Sequence, residues 1–329
     1  MNGYRVAAPS PTLSALPLLI RRASAIGLLF FLLACNAPVF SAQGQWIKRA
    51  SMVEKRSWMS LATLNDRIYA IGGMNGADGQ RLDMNEVFDP RANAWQLLAP
   101  MPTARTSADT AVIGNLIYVI GGYAQDGTTD RVEAFDTLTN GWRTDLPPMP
   151  TQRFDLATTA IGNVIYAAGG FDTEPLSVFE AYDTALKKWT TLPPLPTARY
   201  AMQALVIDGK IFVIGGRTAQ DATDVVEVYD PQTRLWSSPT RVPEPLSGFG
   251  ATMAEGVLHI VKYDKHFTYD PKNGHWQTGL APMPSSRHGL RLAYIDGLLY
   301  AVGGCLTDSN GLFDLARNEA YIVRAPRYL

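Results

Sequence analysis

Five arginines (Arg56, Arg105, Arg153, Arg199 and Arg287) and five glutamates (Glu86, Glu133, Glu180, Glu227 and Glu319) recur along the chain at almost constant spacing. A guanidinium beside a carboxylate can hold a charged substrate or move a proton. The same pair can also tie one strand to another. A group that returns in nearly every copy of a repeat is expected to serve the scaffold, so a site is sought among residues that do not repeat. Other chemistry is sparse. His259 and His266 stand seven apart with no Cys or acid at zinc-ligand spacing, and no metal or cofactor is expected. There is no GxSxG, no phosphate loop and no two-cysteine metal motif. The cysteines are Cys35 and Cys305, so no disulfide staples the fold.

The recurring charges belong to a larger period. Glycine pairs fall at 72–73, 121–122, 169–170, 215–216 and 303–304. The last interval is twice the others, which places an overwritten copy between them, with Lys262-Tyr263 in the glycine slot. Tryptophans follow the same beat at 46, 95, 142, 189, 236 and 276. Two residues after each glutamate stands Phe88, Phe135, Tyr182, Tyr229 or Tyr321. In the overwritten copy Leu246 takes the arginine slot and Phe267 the glutamate slot. Each unit reads as four short strands without helical periodicity: a hairpin, the Gly-Gly, a polar loop, a third strand, a turn and a strand around Trp. The glycines are expected to end the second strand with positive φ and to leave room for a neighbouring ring.

The run IYVIGGY…RVEAFDTLTNGWRTDLPPMPTQR closely resembles the kelch repeat, and the resemblance covers about residues 45–329. It implies an all-β, six-bladed kelch β-propeller with four-stranded blades. The strand around Trp46 is expected to complete the last blade and close the ring, because Trp46 precedes Arg56 by the ten residues that separate Trp95 from Arg105. Tyr328 stands where a C-terminal outer strand could do the same.

In a kelch blade the loop after Gly-Gly and the loop after Met-Pro open on one face. The unrepeated residues there form the candidate ligand mouth: Trp58, Tyr123, Phe154, Asp155, Phe171, Tyr200, Arg217, Phe249, Lys262, Tyr263 and His288. Rings with a few charges suit a peptide or a glycan; the same rings could instead pack between adjacent blades. The rebuilt copy has the shortest loop. That could lower the rim and set Lys262 and Tyr263, with His266 nearby, at a notch. Alternatively Lys262 points to solvent, and Leu246 with Phe267 exchanges a polar link for an apolar contact.

Hydrophobic residues make up 47% and charged residues 18%, with net charge −1, which argues against nucleic acid as a partner. Arg21-Arg22 precede the apolar run AIGLLFFLLA (25–34), which has the length of a signal-peptide core and is too short to span a bilayer. LLAC (32–35) resembles a bacterial lipobox, making Cys35 a lipidation candidate; a later cut near residue 42 is the alternative. The expected layout is a signal peptide over 1–34, a short tether over 35–44 and the propeller over 45–329. The expected protein is an exported monomer, periplasmic or secreted, attached to a membrane only if lipidated. It is expected to be a non-enzymatic recognition scaffold for a protein, peptide or glycan of the cell envelope. The alternative is a sugar-processing enzyme of the sialic-acid mutarotase type, for which Arg217, Asp221 and Asp224 could converge.

Overall fold

Alternation of apolar and polar residues over five-residue runs, bounded by Asn-Asp, Gly-Asn and Asp-Gly pairs, is hairpin chemistry, and hairpins are what form. The structure is a computed structural model that describes residues 43–76, 79–308 and 311–327. The expected leader (1–34), Cys35 and Tyr328 lie outside the described residues, as does all but the end of the tether. Among the described residues there is no helix, and six four-stranded antiparallel sheets carry the fold. Each begins with a hairpin, such as Asp109–Ile113 with Leu116–Ile120, and adds a third strand (Val132–Asp136) and a fourth (Gly141–Arg143). The sixth combines Arg291–Ile295, Leu298–Val302 and Asn318–Ile322 with Trp46–Arg49, which pairs Trp46 with Tyr321.

Six apolar clusters fill the spaces between consecutive sheets. The one containing Ile68, Phe88, Leu298 and Tyr300 joins the sixth sheet to the first. Each repeated Phe or Tyr packs on the Trp of the next strand, as Phe135 does on Trp142 at 5.2 Å and Tyr182 on Trp189 at 5.1 Å. The indole N–H then reaches back to the connection that leads into its own sheet: Trp95 to the Ala50 carbonyl, Trp142 to that of Ala99, Trp46 to that of Ala281.

Two series of backbone hydrogen bonds link the sheets at the glycine end. In the first, the second-glycine amide donates to the arginine-slot carbonyl of the next sheet: Gly73 to Arg105, Gly122 to Arg153, Gly170 to Arg199, Gly216 to Leu246, Tyr263 to Arg287 and Gly304 to Arg56. Tyr263 thus takes the glycine bond of the rebuilt copy, at φ 55°. In the second, Ser107 donates to Trp58, Asp155 to Ser107, Ala201 to Asp155, Gly248 to Ala201, Gly289 to Gly248 and Trp58 to Gly289, at 2.8–3.0 Å, so the series returns to its first residue. All six of its members have positive φ.

The glycine pairs do adopt positive φ, near 60° and then near 105° at Gly121 and Gly122. The expected neighbouring ring is found only at Gly215, where Phe249 lies 3.0 Å from a would-be Cβ. Elsewhere the space is taken by backbone: at Gly72 a Cβ would stand 2.5 Å from the Arg105 carbonyl. A strand carbonyl cannot give way, so at these five pairs the close approach of the next sheet leaves no room for a side chain; only the rebuilt copy makes the bond with a larger residue, Tyr263.

The repeated arginines and glutamates meet as fully buried ion pairs. Arg153 Nη1 contacts Glu180 at 2.7 Å, and Arg105, Arg199 and Arg287 meet their glutamates through Nη1 in the same way, while Arg56 meets Glu86 through Nη2 at 3.1 Å. The guanidinium also donates to a carbonyl of the second strand, 14 residues on (Arg153 to Ala167, 3.2 Å). A Thr two residues before the arginine completes the glutamate's shell in three sheets, as Thr151 Oγ1 does on Glu180 at 2.8 Å; Ser285 does so in the sixth. Burial pulls each arginine's pKa down and the carboxylate opposes it. In the fifth unit Leu246, at the end of the fourth sheet's last strand, and Phe267 are buried together in one apolar cluster. Removing one partner leaves a buried bare charge, so Arg153→Ala should lower unfolding stability by about 3–5 kcal/mol in urea titration. The paired change Arg153→Met with Glu180→Leu, the apolar solution of the fifth unit, should recover most of that loss.

Candidate functional site

In five units the residue after the arginine bridges the residue after the glycine pair: Ser57 with Met74, Thr106 with Tyr123, Phe154 with Phe171, Tyr200 with Arg217, His288 with Cys305. The two loops of those units therefore do share one face. Across neighbouring sheets their rings form an arc. Tyr123 meets Phe154 at 5.4 Å, Phe154 meets Phe171 at 5.5 Å and Phe171 meets Tyr200 at 5.0 Å. The Arg81 guanidinium stacks 4.8 Å from the Tyr123 ring at one end, and Arg217 is exposed at the other. A pocket of ≈ 300 Å³ opens between Met74, Arg81, Tyr123 and Phe154.

A second group lies across the face. Tyr263 meets His288 at 5.5 Å, and His288 meets Trp58 edge-on at 6.0 Å. Lys262 reaches over the Tyr263 ring at 5.0 Å. Tyr263 is 43% exposed, among the most exposed rings of the described residues. The turn in front of it is a two-residue hairpin, Tyr263-Asp264, shorter than the sequence suggests. Burial lowers the Lys262 pKa, with Lys265 and Arg217 pushing the same way against Glu244. Burial and then Lys262 lower that of His288. Glu244 is already held by Lys265 at 2.5 and 2.7 Å, so the notch carries positive charge.

Four expectations are placed elsewhere. Phe249 is fully buried in the cluster between the fourth and fifth sheets, where it fills the space over Gly215, and offers a ligand nothing. His266 turns inward, away from the notch. Arg217, Asp221 and Asp224 do not converge: Arg217 and Asp221 stand 3.9 Å apart on the exposed surface, while Asp224 binds Arg241 at 2.6 Å. Asp155 sits in the hydrogen-bonded cycle, its amide donating to the Ser107 carbonyl and its own carbonyl accepting from Ala201.

The space between the first strands of the six sheets holds what sequence spacing missed. A channel of ≈ 260 Å³ is lined by the first strands of the sheets, including Asp109, Thr158, Gln203, Thr252 and Arg291. Asp109 and Arg291 hold the same register slot in the second and sixth sheets, opposite the last residue before Gly-Gly. The equivalent residues are Ser60, Ala157, Gln203 and Gly250, so the slot is unrepeated. That irregularity was the available signal.

His259 and His266 form a buried couple, Nδ1 to Nε2 at 2.9 Å, between the fifth sheet and the Trp46–Tyr321 pair of the sixth. No group of three metal-ligating side chains occurs among the described residues. Burial lowers His259 to about 4, and burial with its neighbour lowers His266 to about 3. Both are therefore neutral when folded and protonate near 6.5 when unfolded. The unfolded chain binds more protons below that value, so stability falls as pH drops from about 6.5 toward 4. His266→Gln should flatten that loss in a pH series of urea titrations; the contribution of Asp155, which titrates in the same window, cancels in the comparison with the unaltered chain.

Two family models match the chain: the FKB95 Kelch-repeats domain over residues 144–310, and the KLHDC2/KLHL20/DRC7 Kelch-repeats domain over 43–195. Mouse Kelch-like protein 35 is 35% identical over 238 residues, covering 70% of this chain and 32% of its own length. Rat Kelch-like protein 7 is 34% identical over 97 residues, 30% of this chain and 16% of its own. Kelch-like protein terF of Aspergillus terreus is 27% identical over 236 residues, 66% of this chain and 51% of its own. The chain thus matches a part of each of these relatives, about a third of the mouse protein.

Proposed function

Since this chain belongs to the kelch-repeat family, we propose that it is a recognition scaffold: a six-bladed propeller, its ring closed by the Trp46 strand, that binds a protein segment on its glycine-loop face. The closed cycle of hydrogen bonds and the cluster joining the sixth sheet to the first support the architecture. The observation that carries the binding mode is the pairing of rings with positive charge at the notch. A peptide lays an apolar side chain against Tyr263 or Tyr200 and an acidic side chain or C-terminal carboxylate against Lys262 and Arg217. Charged hydrogen bonds of this kind are the strong ones, and rings beside them exclude water. The protein acts as a monomer, outside the cytoplasm, after loss of residues 1–34. The lipobox-like LLAC supports lipidation at Cys35. Mass spectrometry of the mature N-terminus should find an acylated Cys35, or a start near residue 43 if the ordinary peptidase cuts; an intact leader overturns export.

Binding is tested with the full chain on arrays of acidic and neutral peptides and on a glycan array. Acidic peptides should be retained and lose at least tenfold in affinity, about 1.4 kcal/mol, with Lys262→Glu and Arg217→Glu together. Restoring glycines at 262 and 263 should weaken the same peptides. Retention of glycans alone, or acidic peptides indifferent to the charge reversal, overturns the reading.

A further inference from the structure

One cross-strand row breaks the repeat. At one position of the second strand stand Tyr69, Tyr118, Tyr166, Phe212 and Tyr300, paired on the third strand with Val87, Ala134, Ala181, Val228 and Ala320. In the fifth sheet the pair is His259 with Thr268, and Gln277 continues the row on the fourth strand. Elsewhere the ring of the row packs on the repeated ring of the next sheet: Tyr69 on Phe135 at 6.3 Å, Tyr118 on Tyr182 at 6.4 Å, Tyr166 on Tyr229 at 6.5 Å. His259 keeps that partnership, with Tyr321 at 6.5 Å. An imidazole is smaller than a phenol ring and has no hydroxyl beyond it, so this slot is filled less deeply than its counterparts.

A pocket of ≈ 440 Å³ opens at the same place. His259, Thr268 and Gln277 line it from the fifth sheet, and Tyr321 and Gly44 from the side of the sixth. Val257, Leu280 and Val323 add apolar wall. The His259 ring is held by His266, which takes Nδ1 at 2.9 Å. Its Nε2, the Thr268 hydroxyl and the Gln277 amide hydrogen-bond no described residue. Among the described lining Glu255 alone is formally charged, and Arg324 Nε at 2.8 Å and the Tyr294 hydroxyl already hold it. The volume equals roughly fifteen waters at about 30 Å³ each, room for one ring with a substituent.

The space thus stands where the repeat elsewhere sets an aromatic ring. It has a row of uncharged polar groups on one side, apolar wall on the other and no spare charge. From this geometry we infer that the pocket binds a phenol, the ring that the fifth sheet omits. The ligand ring lies beyond His259 against Tyr321 and the apolar wall, as a buried cavity takes a ring of matching size. Its hydroxyl bonds the His259–Thr268–Gln277 row, where an analogue without one leaves polar groups unpaired. The pocket lies at the Val257 end of its strand and the loop-face notch at the Lys262 end, so either can fail without the other.

The probe is p-cresol, the side chain of tyrosine, titrated calorimetrically into the full chain at pH 7.5. It should bind at about 1 mM or tighter, the range open to so small a ligand. Toluene lacks the hydroxyl, methylcyclohexanol is not flat and benzoate is charged; each should bind at least fivefold more weakly. Saturating p-cresol should also raise the thermal midpoint, because it contacts the fifth sheet and the segment leading into the Trp46 strand together. His259→Tyr puts the missing ring into the pocket and should weaken binding tenfold or more. If that protein does not fold, Thr268→Val, the residue of the first and fourth sheets, should weaken binding at least fivefold. N-acetyltyrosinamide separates the two sources of a phenol: binding as tight as that of p-cresol assigns the pocket to a tyrosine side chain, and weaker binding to a free small molecule. Absence of heat with p-cresol, equal binding of toluene or methylcyclohexanol, or a folded His259→Tyr or Thr268→Val protein that binds as before overturns the inference.

Discussion

At one end of the six consecutive sheets, each hands a backbone hydrogen bond to the next in a series that returns to its first member. Trp58, Ser107, Asp155, Ala201, Gly248 and Gly289 do this, and every one must adopt left-handed φ. That conformation is unfavourable for residues other than glycine, yet only two of the six are glycines. The local cost is carried by the packing of the clusters between the sheets. In return the cycle fixes how far the innermost strands stand from the axis. The channel width follows from that distance, and so does which side chains meet across it.

The buried ion pairs are a second consequence of the same geometry. The arginine-slot carbonyl is spent on the neighbouring sheet, while the guanidinium beneath it turns back into its own. It must then satisfy a glutamate, a second-strand carbonyl and the carbonyl of the Thr or Ser two residues earlier. Such a network confers uniqueness of arrangement more than stability. The fifth unit makes the point internally. Leu246 and Phe267 replace the whole network with apolar contact, and the inter-sheet bonds of Gly216 and Tyr263 persist. With the network went the glycines and the long loop, and the notch of Lys262 and Tyr263 stands where they were lost.

What the sequence shows of this molecule is what repeats. The glycine pairs, the aromatic beat and the Arg–Glu spacing announced strands, sheets and the overwritten copy, because a period makes each residue's role legible several times over. The pairing of Trp46 with Tyr321 follows from the same beat. Unrepeated residues have no such redundancy. Phe249 occupies a mouth slot by count, but its ring drops into the space above Gly215. The seven-residue separation of His259 and His266 hides a direct contact, because a hairpin folds them side by side. Asp109 and Arg291 are invisible as partners until the first strands are brought round one axis. Their shared register slot is evident only once hairpin ends are known to the residue.

The sixth sheet brings together segments 275 residues apart, Trp46 against Tyr321. Contacts of such separation are the slowest to form, because the closure entropy of the intervening chain comes before any reward. During synthesis the segment around Trp46 emerges early and must wait, unpaired, until nearly all the rest has been made. Until then the Trp46–Arg49 strand has no partner, and an open strand edge is a template for a foreign strand. The completed fold hides that edge, but the growing chain cannot, so the interval between first and last strand is when this protein most depends on being kept apart from its own kind.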